Sequence, residues 1–279
     1  MADLSDMLTK AIGSRGMKLD KWQVGDPGFA TTLAKGLAVL HAFRGDRPGM
    51  SNAEIAAAIG VTRPTAARLT YTLAKLGYLK HERSKYRLAW RVAALASPLL
   101  VNMKVLQVAR SSMEKLAQDL SGTVSIGVID NLAFLYIETA RANENIWHTP
   151  DLGTIGPLVV ATIGHALCSL LHENELAQIT EAMQRKSPDL WNEFGERFRR
   201  GVLSCRENGN SVLRGDWTPE THSVGVPLFR DKDGECFAIN CRVPIFRLRG
   251  NQIEEEVAPR RKSLANSIRM QFLAGANSR

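Results

Sequence analysis

Side chains that can contact nucleic acid recur along residues 63–76 at helical spacing. Placed on a helix, they gather on one side and at the N-terminal end, while apolar side chains gather opposite them. A guanidinium can donate two hydrogen bonds to O6 and N7 of guanine, and ammonium and hydroxyl groups suit phosphate oxygens. The outward side holds Pro64, Ala67, Arg68, Tyr71 and Lys75, the N-terminal flank holds Arg63 and Thr65, and the apolar side holds Ala66, Leu69, Leu73 and Leu76. This division favours a helix that reads the major groove of DNA.

Two kinds of DNA contact are predicted within this set. Arg63 or Arg68 is expected to make the bidentate contact to guanine, which is worth about 1–3 kcal/mol of base discrimination. Thr65, with Thr62 and Ser51 just upstream, is expected to contact phosphates with the help of the positive ends of the two helices. Tyr71 and Lys75 lie on the same outward side and complete the predicted surface of this helix.

The preceding residues predict the partner helix and the turn that position the reading helix. Ser51 and Glu54 have the spacing of a capping box, in which each side chain accepts a hydrogen bond from the other residue's backbone N–H. The short helix that they begin is expected to stop at Gly60. Thr62 is predicted to cap the next helix, whose first turn tolerates Pro64 because the missing N–H has no helical partner there.

A leading helix and a basic hairpin complete the predicted module, which spans residues 29–90. The leading helix, Thr31–Phe43, is expected to turn the apolar residues Leu33, Leu37, Leu40 and Phe43 towards the core. Leu79–His81 and Tyr86–Leu88 predict a short strand pair with Arg83 and Lys85 at its charged tip. We expect this wing to follow the DNA backbone into the adjacent minor groove.

The charge distribution supports the same assignment. The chain has 279 residues and a net charge of +8. Residues 29–90 contain ten Lys and Arg against three Asp and Glu, a net charge of +7, whereas residues 1–28 balance four against four. A positive excess concentrated in one compact segment is typical of a module that binds a polyanion.

The rest of the chain predicts an α+β fold with a second, larger domain. Residues 1–28 are expected to be a flexible arm with a helical piece at Leu4–Ile12, residues 91–104 a connector helix, and residues 105–279 the larger domain. Asp130-Asn131 predicts a two-residue hairpin between strands. The predicted strands are Thr123–Ile129, Ala133–Thr139, Ser211–Arg214, Ser223–Phe229 and Glu235–Val243, and the predicted helices are Val105–Leu120, Ala161–Leu171, Glu173–Lys186, Asp189–Asn208 and Ile253–Leu273.

The sequence predicts no metal site, no cofactor and no membrane span. The four cysteines form no C-x-x-C pair and no Cys/His group at zinc-finger spacing, so we interpret them as reduced, buried thiols. The longest apolar stretch, Leu158–Leu171, is too short to cross a bilayer, and the N-terminus has no signal-peptide run. We therefore expect a cytoplasmic protein.

The segment from Asn52 to Leu79, NAEIAAAIGVTRPTAARLTYTLAKLGYL, resembles the winged helix-turn-helix of the IclR family of bacterial transcriptional regulators. Three later stretches resemble elements of that family's α/β sensing domain, namely residues 120–124, 160–168 and 224–241. The resemblance extends over about residues 31–273. It implies an N-terminal winged helix-turn-helix joined by a helical connector to a C-terminal α/β (GAF-like) effector-binding domain with an antiparallel sheet.

The resemblance also implies an effector pocket and an oligomer. The residues carried over to the pocket are Thr162, Ile163, Ser223, Asn240 and Arg242, with Trp147, Asp216 and His222 in addition. Asn240 and Arg242 replace the family's usual small serines, so the effector is expected to differ from that of other members. Arg242 suits a carboxylate ligand or, alternatively, a surface salt bridge. The implied partners are double-stranded operator DNA, a small organic effector and further copies of the chain, as a homodimer or a dimer of dimers.

Two other functions are alternatives to a ligand-responsive regulator. The first is an enzyme that uses His165 with Cys168 or Cys241 with His222, but these pairs supply no nucleophile, base and orienting group at a recognisable spacing. The second is a constitutive DNA-binding protein whose large domain serves only for assembly. The size of the second domain favours ligand sensing, and this preference rests on analogy.

Overall fold

The computed structural model describes residues 27–43, 48–142, 152–215 and 221–245, and the isolated positions 263, 266, 267 and 270. The chain divides into two compact units, Met1–Asn102 and Met103–Arg279. The predicted helical piece at Leu4–Ile12 lies outside the described residues, as does the predicted arm except for residues 27 and 28. Of the predicted final helix, Ile253–Leu273, the four isolated positions are described and each is helical.

The first unit contains the elements that helical spacing and capping residues predict. They are α1 (Thr31–His41), α2 (Asn52–Ile59), α3 (Arg63–Lys75), β1 (Leu79–Glu82), β2 (Lys85–Leu88) and α4 (Arg91–Asn102). The strands β1 and β2 pair antiparallel, and Met50 adds a bridge to Tyr86. The predicted order of helix, helix-turn-helix and hairpin is therefore confirmed.

The core of the first unit differs in part from the predicted one. Leu33 and Leu37, which were expected to face the core, are 64% and 41% exposed, and Leu76 at the end of α3 is also exposed. The buried side of α1 instead consists of Ala34, Ala38 and Val39, a face rotated by about one residue. The alanines are small enough to let α1 approach its neighbours closely, which leaves the larger leucines outside.

The second unit combines one sheet with four helices among its described residues. The elements are α5 (Lys104–Leu120), β3 (Thr123–Asp130), β4 (Ala133–Arg141), β5 (Ile155–Pro157), α6 (Thr162–Ser169), α7 (Glu173–Lys186), α8 (Pro188–Asn208), β6 (Ser211–Arg214), β7 (Thr221–Arg230) and β8 (Cys236–Pro244). The predicted hairpin is confirmed, but its two-residue loop is Asn131-Leu132 and not Asp130-Asn131, because Asp130 pairs with Ala133. Asn131 adopts the positive φ of +55° that such a turn requires. The three-residue strand β5 was not predicted, because it is too short to show alternation.

The six strands pair antiparallel in the order β5-β4-β3-β8-β7-β6. Helix α6 lies on one face, where a side chain at Gly127 of β3 would meet Ile163. Helix α5 lies on the other face, where Arg110 approaches Glu138, the cross-strand partner of Ile126. Helix α8 packs against α6, and α7 packs against α8. Among the described helices, none is long and apolar enough to span a membrane.

Candidate DNA interface and ligand site

The turn between α2 and α3 is fixed by the predicted caps. The Ser51 hydroxyl accepts a hydrogen bond from the Glu54 N–H (3.3 Å), and the Glu54 carboxylate accepts one from the Ser51 N–H (2.8 Å). Gly60 ends α2 in the left-handed region, at a φ of +71° that glycine adopts without strain. The Thr62 hydroxyl then accepts from the Thr65 N–H at 3.4 Å and begins α3. The capping box and the Thr62 cap are confirmed.

Two contacts that the sequence did not predict hold α3 in place. The buried Thr70 hydroxyl donates to Asn52 Oδ1 at 2.8 Å and so joins α3 to α2. At the other end, Arg91 Nη1 donates to the Leu76 carbonyl at 2.7 Å and satisfies a group that has no helical partner. Neither contact could be predicted from residue spacing. A hydroxyl on the core side of a helix gives no periodic signal, and the contact of Arg91 with Leu76 joins residues 15 positions apart.

The outward side of α3 presents the predicted reading residues to solvent. Arg63, Pro64, Arg68, Tyr71 and Lys75 are exposed, and Tyr71 retains 62% of its accessible surface. The ammonium group of Lys75 lies 5.5 Å from the centroid of the Tyr71 ring, a cation–π distance. These side chains form one continuous surface over the length of the helix. Its N-terminal half carries two guanidinium groups and its C-terminal half carries the Lys75–Tyr71 pair.

The three hydroxyl groups predicted to contact phosphates already take part in caps. The Ser51 hydroxyl donates to the Glu54 carboxylate at 2.8 Å, and that negative charge would repel a nearby phosphate. The hydroxyls of Thr62 and Thr65 lie 2.9 Å apart at the exposed start of α3. Of the three, Thr62 and Thr65 are therefore better placed for a phosphate than Ser51.

The wing carries both compensated and uncompensated charge. Glu82 lies 2.7 Å from the ammonium group of Lys80 and also contacts Arg87. The hydrogen bond from Lys80 is the largest cause that lowers the pKa of Glu82. At the tip, Arg83 and Ser84 both have positive φ, as in a two-residue hairpin turn, and Arg83 and Lys85 are exposed. Lys85 is the cross-strand partner of Glu82, but the ion pairs of Glu82 are with Lys80 and Arg87.

Strand alternation gathers most of the predicted effector residues on one face of the large sheet. Ser223 of β7 pairs with Arg242 of β8, Arg242 pairs with Thr123 of β3, and cross-strand partners point to the same face. Asn240, two residues from Arg242, lies on the same face. This is also the face covered by α6, which contributes Thr162 and Ile163. We call it the α6 face.

A buried hydrogen-bond chain crosses the α6 face. The Thr162 hydroxyl donates to Asn240 Oδ1 at 2.8 Å, and Asn240 Nδ2 donates to the Tyr136 hydroxyl at 2.6 Å. Burial is the largest cause that raises the pKa of Tyr136, to about 12. A side chain at Gly225 would stand 2.1 Å from the Thr162 carbonyl, so glycine allows α6 to reach the sheet here. Tyr136 was not among the predicted residues.

Arg242 and Arg141 lie close together at one end of the α6 face, and Arg141 was not predicted. Arg242 donates from Nη2 to the Thr221 hydroxyl at 3.0 Å, and burial lowers the pKa of its guanidinium. Arg141 of β4 is the other cross-strand partner of Thr123, so the two arginines flank that threonine from opposite sides. Both are half-buried. Only strand register reveals Arg141, because it is 101 positions from Arg242 along the chain.

The remaining predicted effector residues are not all brought to this face. His222 lies between Thr221 and Ser223 on β7, so alternation turns its side chain to the opposite face of the sheet. Trp147 and Asp216 lie outside the described residues. The structure therefore brings together Thr162, Ile163, Ser223, Asn240 and Arg242 and separates His222 from them.

Three of the four Cys and His residues of the enzyme alternative are buried, and His222 is half-buried. Cys168, Cys241 and His165 have no accessible surface, and the His165 Nδ1 lies 2.8 Å from the Ser211 hydroxyl. Burial raises the pKa of the Cys168 thiol and lowers that of His165 to about 4. A thiol held in its neutral form is a weak nucleophile. Among the described residues, no group of three His, Cys, Asp or Glu side chains could hold a metal ion.

Both units match models of known protein families. The IclR helix-turn-helix domain matches residues 32–83, and the bacterial transcriptional regulator IclR C-terminal domain matches residues 98–270. The first match contains α1–α3 and the beginning of the wing. The second contains the whole sheet of six strands.

The chain is also similar to individual regulators. It is 25% identical over 261 residues to the HTH-type transcriptional regulator TsaQ1/TsaQ2 of Comamonas testosteroni, a match that covers 91% of this chain and 93% of that protein. An IclR family transcriptional regulator from Brucella abortus has a similar structure, with 29% identity, a TM-score of 0.70 and coverage of 86% and 91%. An IclR homolog from Microbacterium hydrocarbonoxydans, solved with 4-hydroxybenzoate, shares the fold at 20% identity, with a TM-score of 0.72 and coverage of 87% and 99%.

Proposed function

This chain belongs to the IclR family of DNA-binding transcriptional regulators, and we propose that a small organic effector on its α6 face controls its binding to a specific operator. In this proposal a homodimer places two α3 helices on a pseudo-palindromic site in the bacterial cytoplasm. Effector binding changes operator affinity because the effector binds the two conformations of the dimer with different affinity.

The observation that supports the DNA contacts most directly is the outward side of α3. It presents Arg63, Arg68 and Lys75 on a helix whose other side is held by α2 through Thr70. The N-terminal part of such a helix meets base edges in known helix-turn-helix complexes. We assign base reading to Arg63 and Arg68, and phosphate contacts to Thr62, Thr65 and the wing cations Arg83 and Lys85.

The effector is proposed to be a carboxylate. At one end of the α6 face, the half-buried Arg141 and Arg242 lie beside the hydroxyls of Thr123 and Ser223. Planar guanidinium groups suit carboxylates, and partial burial strengthens the attraction because less water screens it. The related protein from Microbacterium hydrocarbonoxydans was crystallised with 4-hydroxybenzoate, an aromatic carboxylate. We choose 4-hydroxybenzoate as the first probe because the arginines of the α6 face suit a carboxylate.

A titration with the full-length protein tests this assignment. Thermal stability and affinity for DNA from upstream of the protein's own gene are measured with 4-hydroxybenzoate, with aliphatic carboxylates and with the corresponding neutral amides. We expect one or more carboxylates to raise the melting temperature and change DNA affinity, and the amides to do neither. Arg242→Gln and Arg141→Gln should weaken the response at least tenfold, whereas Arg214→Gln, on the face shared with His222, should retain it. Equal responses in all three variants would contradict a role for the α6 face.

Self-association is proposed from the exposed apolar side chains of the first unit. Leu33 and Leu37 on α1 and Leu95 and Leu99 on α4 form two exposed pairs at i,i+4 spacing, and Trp90 is 94% exposed. Large apolar side chains grouped in this way are costly in water and mark interfaces. We propose that a second copy of the chain covers them, and that such dimers associate further into tetramers. Light scattering after size exclusion should give a dimer or tetramer mass, and Leu33→Glu with Leu95→Glu should lower it.

A constitutive DNA-binding protein remains the alternative outcome of the same experiments. It predicts operator binding that no small molecule changes and a large unit that serves assembly alone. The half-buried Arg141 and Arg242, which flank Thr123 on the α6 face, favour the ligand-responsive form. The buried thiols and the regulator relatives argue against the enzyme alternative.

A further inference from the structure

Pro64 occupies an unusual place for an apolar ring in a DNA-reading helix. It is the second residue of α3, it is exposed, and it lies on the outward side one helical turn before Arg68. Its position at the centre of that side means that it is neither part of the core nor at the margin of the surface. A helix docked through this side cannot approach base edges without bringing the proline ring to them.

The proline also changes what the start of the helix can bind. A proline has no N–H, so the second position of α3 offers no donor, and the N–H of the third position, Thr65, is directed at the Thr62 hydroxyl. The first turn is therefore poor in backbone donors for a phosphate oxygen. Together with the exposed ring, this favours contact of Pro64 with an apolar group, and leaves the side-chain hydroxyls of Thr62 and Thr65 as the phosphate donors of this turn.

We infer that Pro64 reads a thymine methyl group in each operator half-site, next to the guanine read by Arg68. The C5-methyl of thymine is the apolar group that base pairs present in the major groove. Four residues of helix span about 6 Å, or roughly two base-pair steps of 3.4 Å. The thymine therefore lies within about two base pairs of the guanine. This inference rests on the proposed function of α3 and adds a base preference to it.

The methyl group can be removed from the DNA without any change to the protein. Operator sequences are first selected from random duplexes with the full-length protein, and the guanine read by Arg68 is identified by the preference that Arg68→Ala loses. Each thymine of the half-site is then replaced by deoxyuracil, which lacks only the methyl. At one thymine within about two base pairs of that guanine, we expect affinity to fall about fourfold per half-site, the value for one buried carbon group.

Two protein variants assign the effect to Pro64. Pro64→Ser should bind thymine and deoxyuracil operators equally at that position, because the ring that packs on the methyl is gone. Pro64→Ala should keep only part of the difference, because its single methyl is a smaller apolar partner. Pro188→Ser is the matched control, since Pro188 is an exposed proline at the start of α8 in the other unit. It should keep the full discrimination. Circular dichroism and thermal unfolding show whether each variant is folded.

The outcomes separate this inference from the proposed function. If no sequence is enriched by selection, the proposed function fails and the inference fails with it. If an operator is selected but deoxyuracil has no effect near the guanine, or if both Pro64 variants keep the discrimination, Pro64 does not read a methyl while the regulator function stands. The deoxyuracil series on the unaltered protein shows whether a thymine methyl is read near the guanine, even if a variant does not fold.

Discussion

The outward side of α3 and the α6 face of the large sheet use polar side chains in opposite ways. On α3, Arg63, Arg68 and Lys75 project into solvent, where they can be offered to a large polyanion. On the α6 face, Thr162, Asn240 and Tyr136 are buried and hydrogen-bonded to one another. Under the proposed function, the first surface would bind by pairing its cations with phosphates, and the second by exchanging internal hydrogen bonds for contacts with a ligand. Changes on α3 should therefore affect affinity, and changes around the α6 face should affect stability.

The largest expected effect is the loss of base reading on α3. Arg68→Ala removes a bidentate donor from each half-site, so operator binding should weaken by about 1–3 kcal/mol per half-site while the melting temperature stays within a degree or two. Fluorescence anisotropy at one fixed salt concentration measures the affinity. Arg200→Ala, an exposed arginine on α8, is the matched control. Unchanged affinity and unchanged sequence preference in Arg68→Ala would show that α3 does not read DNA through this side.

The second effect is a pH dependence of stability that belongs to the second unit. His165 is buried and neutral, with a pKa lowered to about 4 by burial, against an ordinary value of 6.5. The unfolded chain takes up the proton first as the pH falls. The free energy of unfolding should thus be unaffected by His165 above pH 6.5 and should decrease between about pH 6.5 and pH 4, by about 3 kcal/mol in all.

The comparison that isolates His165 is His165→Gln, which keeps a side chain able to hydrogen-bond Ser211 and does not titrate. Urea unfolding at pH 7.5, 6.5 and 5.5 gives the slope for each protein. The original chain should lose more stability over this range than the variant. Parallel slopes would mean that His165 is protonated in the folded state as easily as in the unfolded one.

The sequence predicts the helix-turn-helix more completely than the α6 face. The residues that define the first are close together in sequence, whereas those that form the second are far apart. Ser51, Glu54, Gly60 and Thr62 lie within twelve residues of one another, and these local caps define the helix-turn-helix without any distant partner. The individual helices and strands of the second unit are also predicted from their own residues. Helix Glu173–Lys186 and strand Ser211–Arg214 match their predicted bounds. The α6 face is different, because it depends on which strands pair and in which register.

Register explains the particular errors of the sequence analysis. Arg141 joins Arg242 only because both pair with Thr123. His222 is adjacent in sequence to Ser223, yet alternation puts it on the other face.

In the first unit, Leu33 and Leu37 have the spacing of a core face, and the structure buries the smaller Ala34 and Ala38 instead. Apolar spacing identifies a helix, but the face that docks also depends on how closely its neighbours approach.

The third effect contrasts two glycines inside helices, one in each unit. A side chain at Gly201 of α8 would stand 2.1 Å from His165 Nδ1, so Gly201→Ala should destabilise the protein by about 1–3 kcal/mol. A side chain at Gly36 of α1 would meet nothing within 4 Å, so Gly36→Ala should stabilise it by up to about 1 kcal/mol. Denaturant unfolding of both variants measures the difference. A neutral or stabilising effect of Gly201→Ala would contradict the close packing of α8 on α6.

The smallest effect is electrostatic and lies in the wing. Lys85 is exposed at the tip, whereas Lys80 lies 2.7 Å from Glu82 in the same hairpin. If Lys85 meets a phosphate, Lys85→Ala should lower the slope of log affinity against log salt by about 0.9 per half-site and weaken binding to all sequences alike. Lys80→Ala should lower the slope less, because Glu82 already compensates that charge. Anisotropy titrations between 50 and 300 mM salt, conditions chosen around roughly physiological ionic strength, measure both slopes. Equal losses in the two variants would mean that the tip of the wing has no special contact, and that the hairpin acts on DNA only through its total charge.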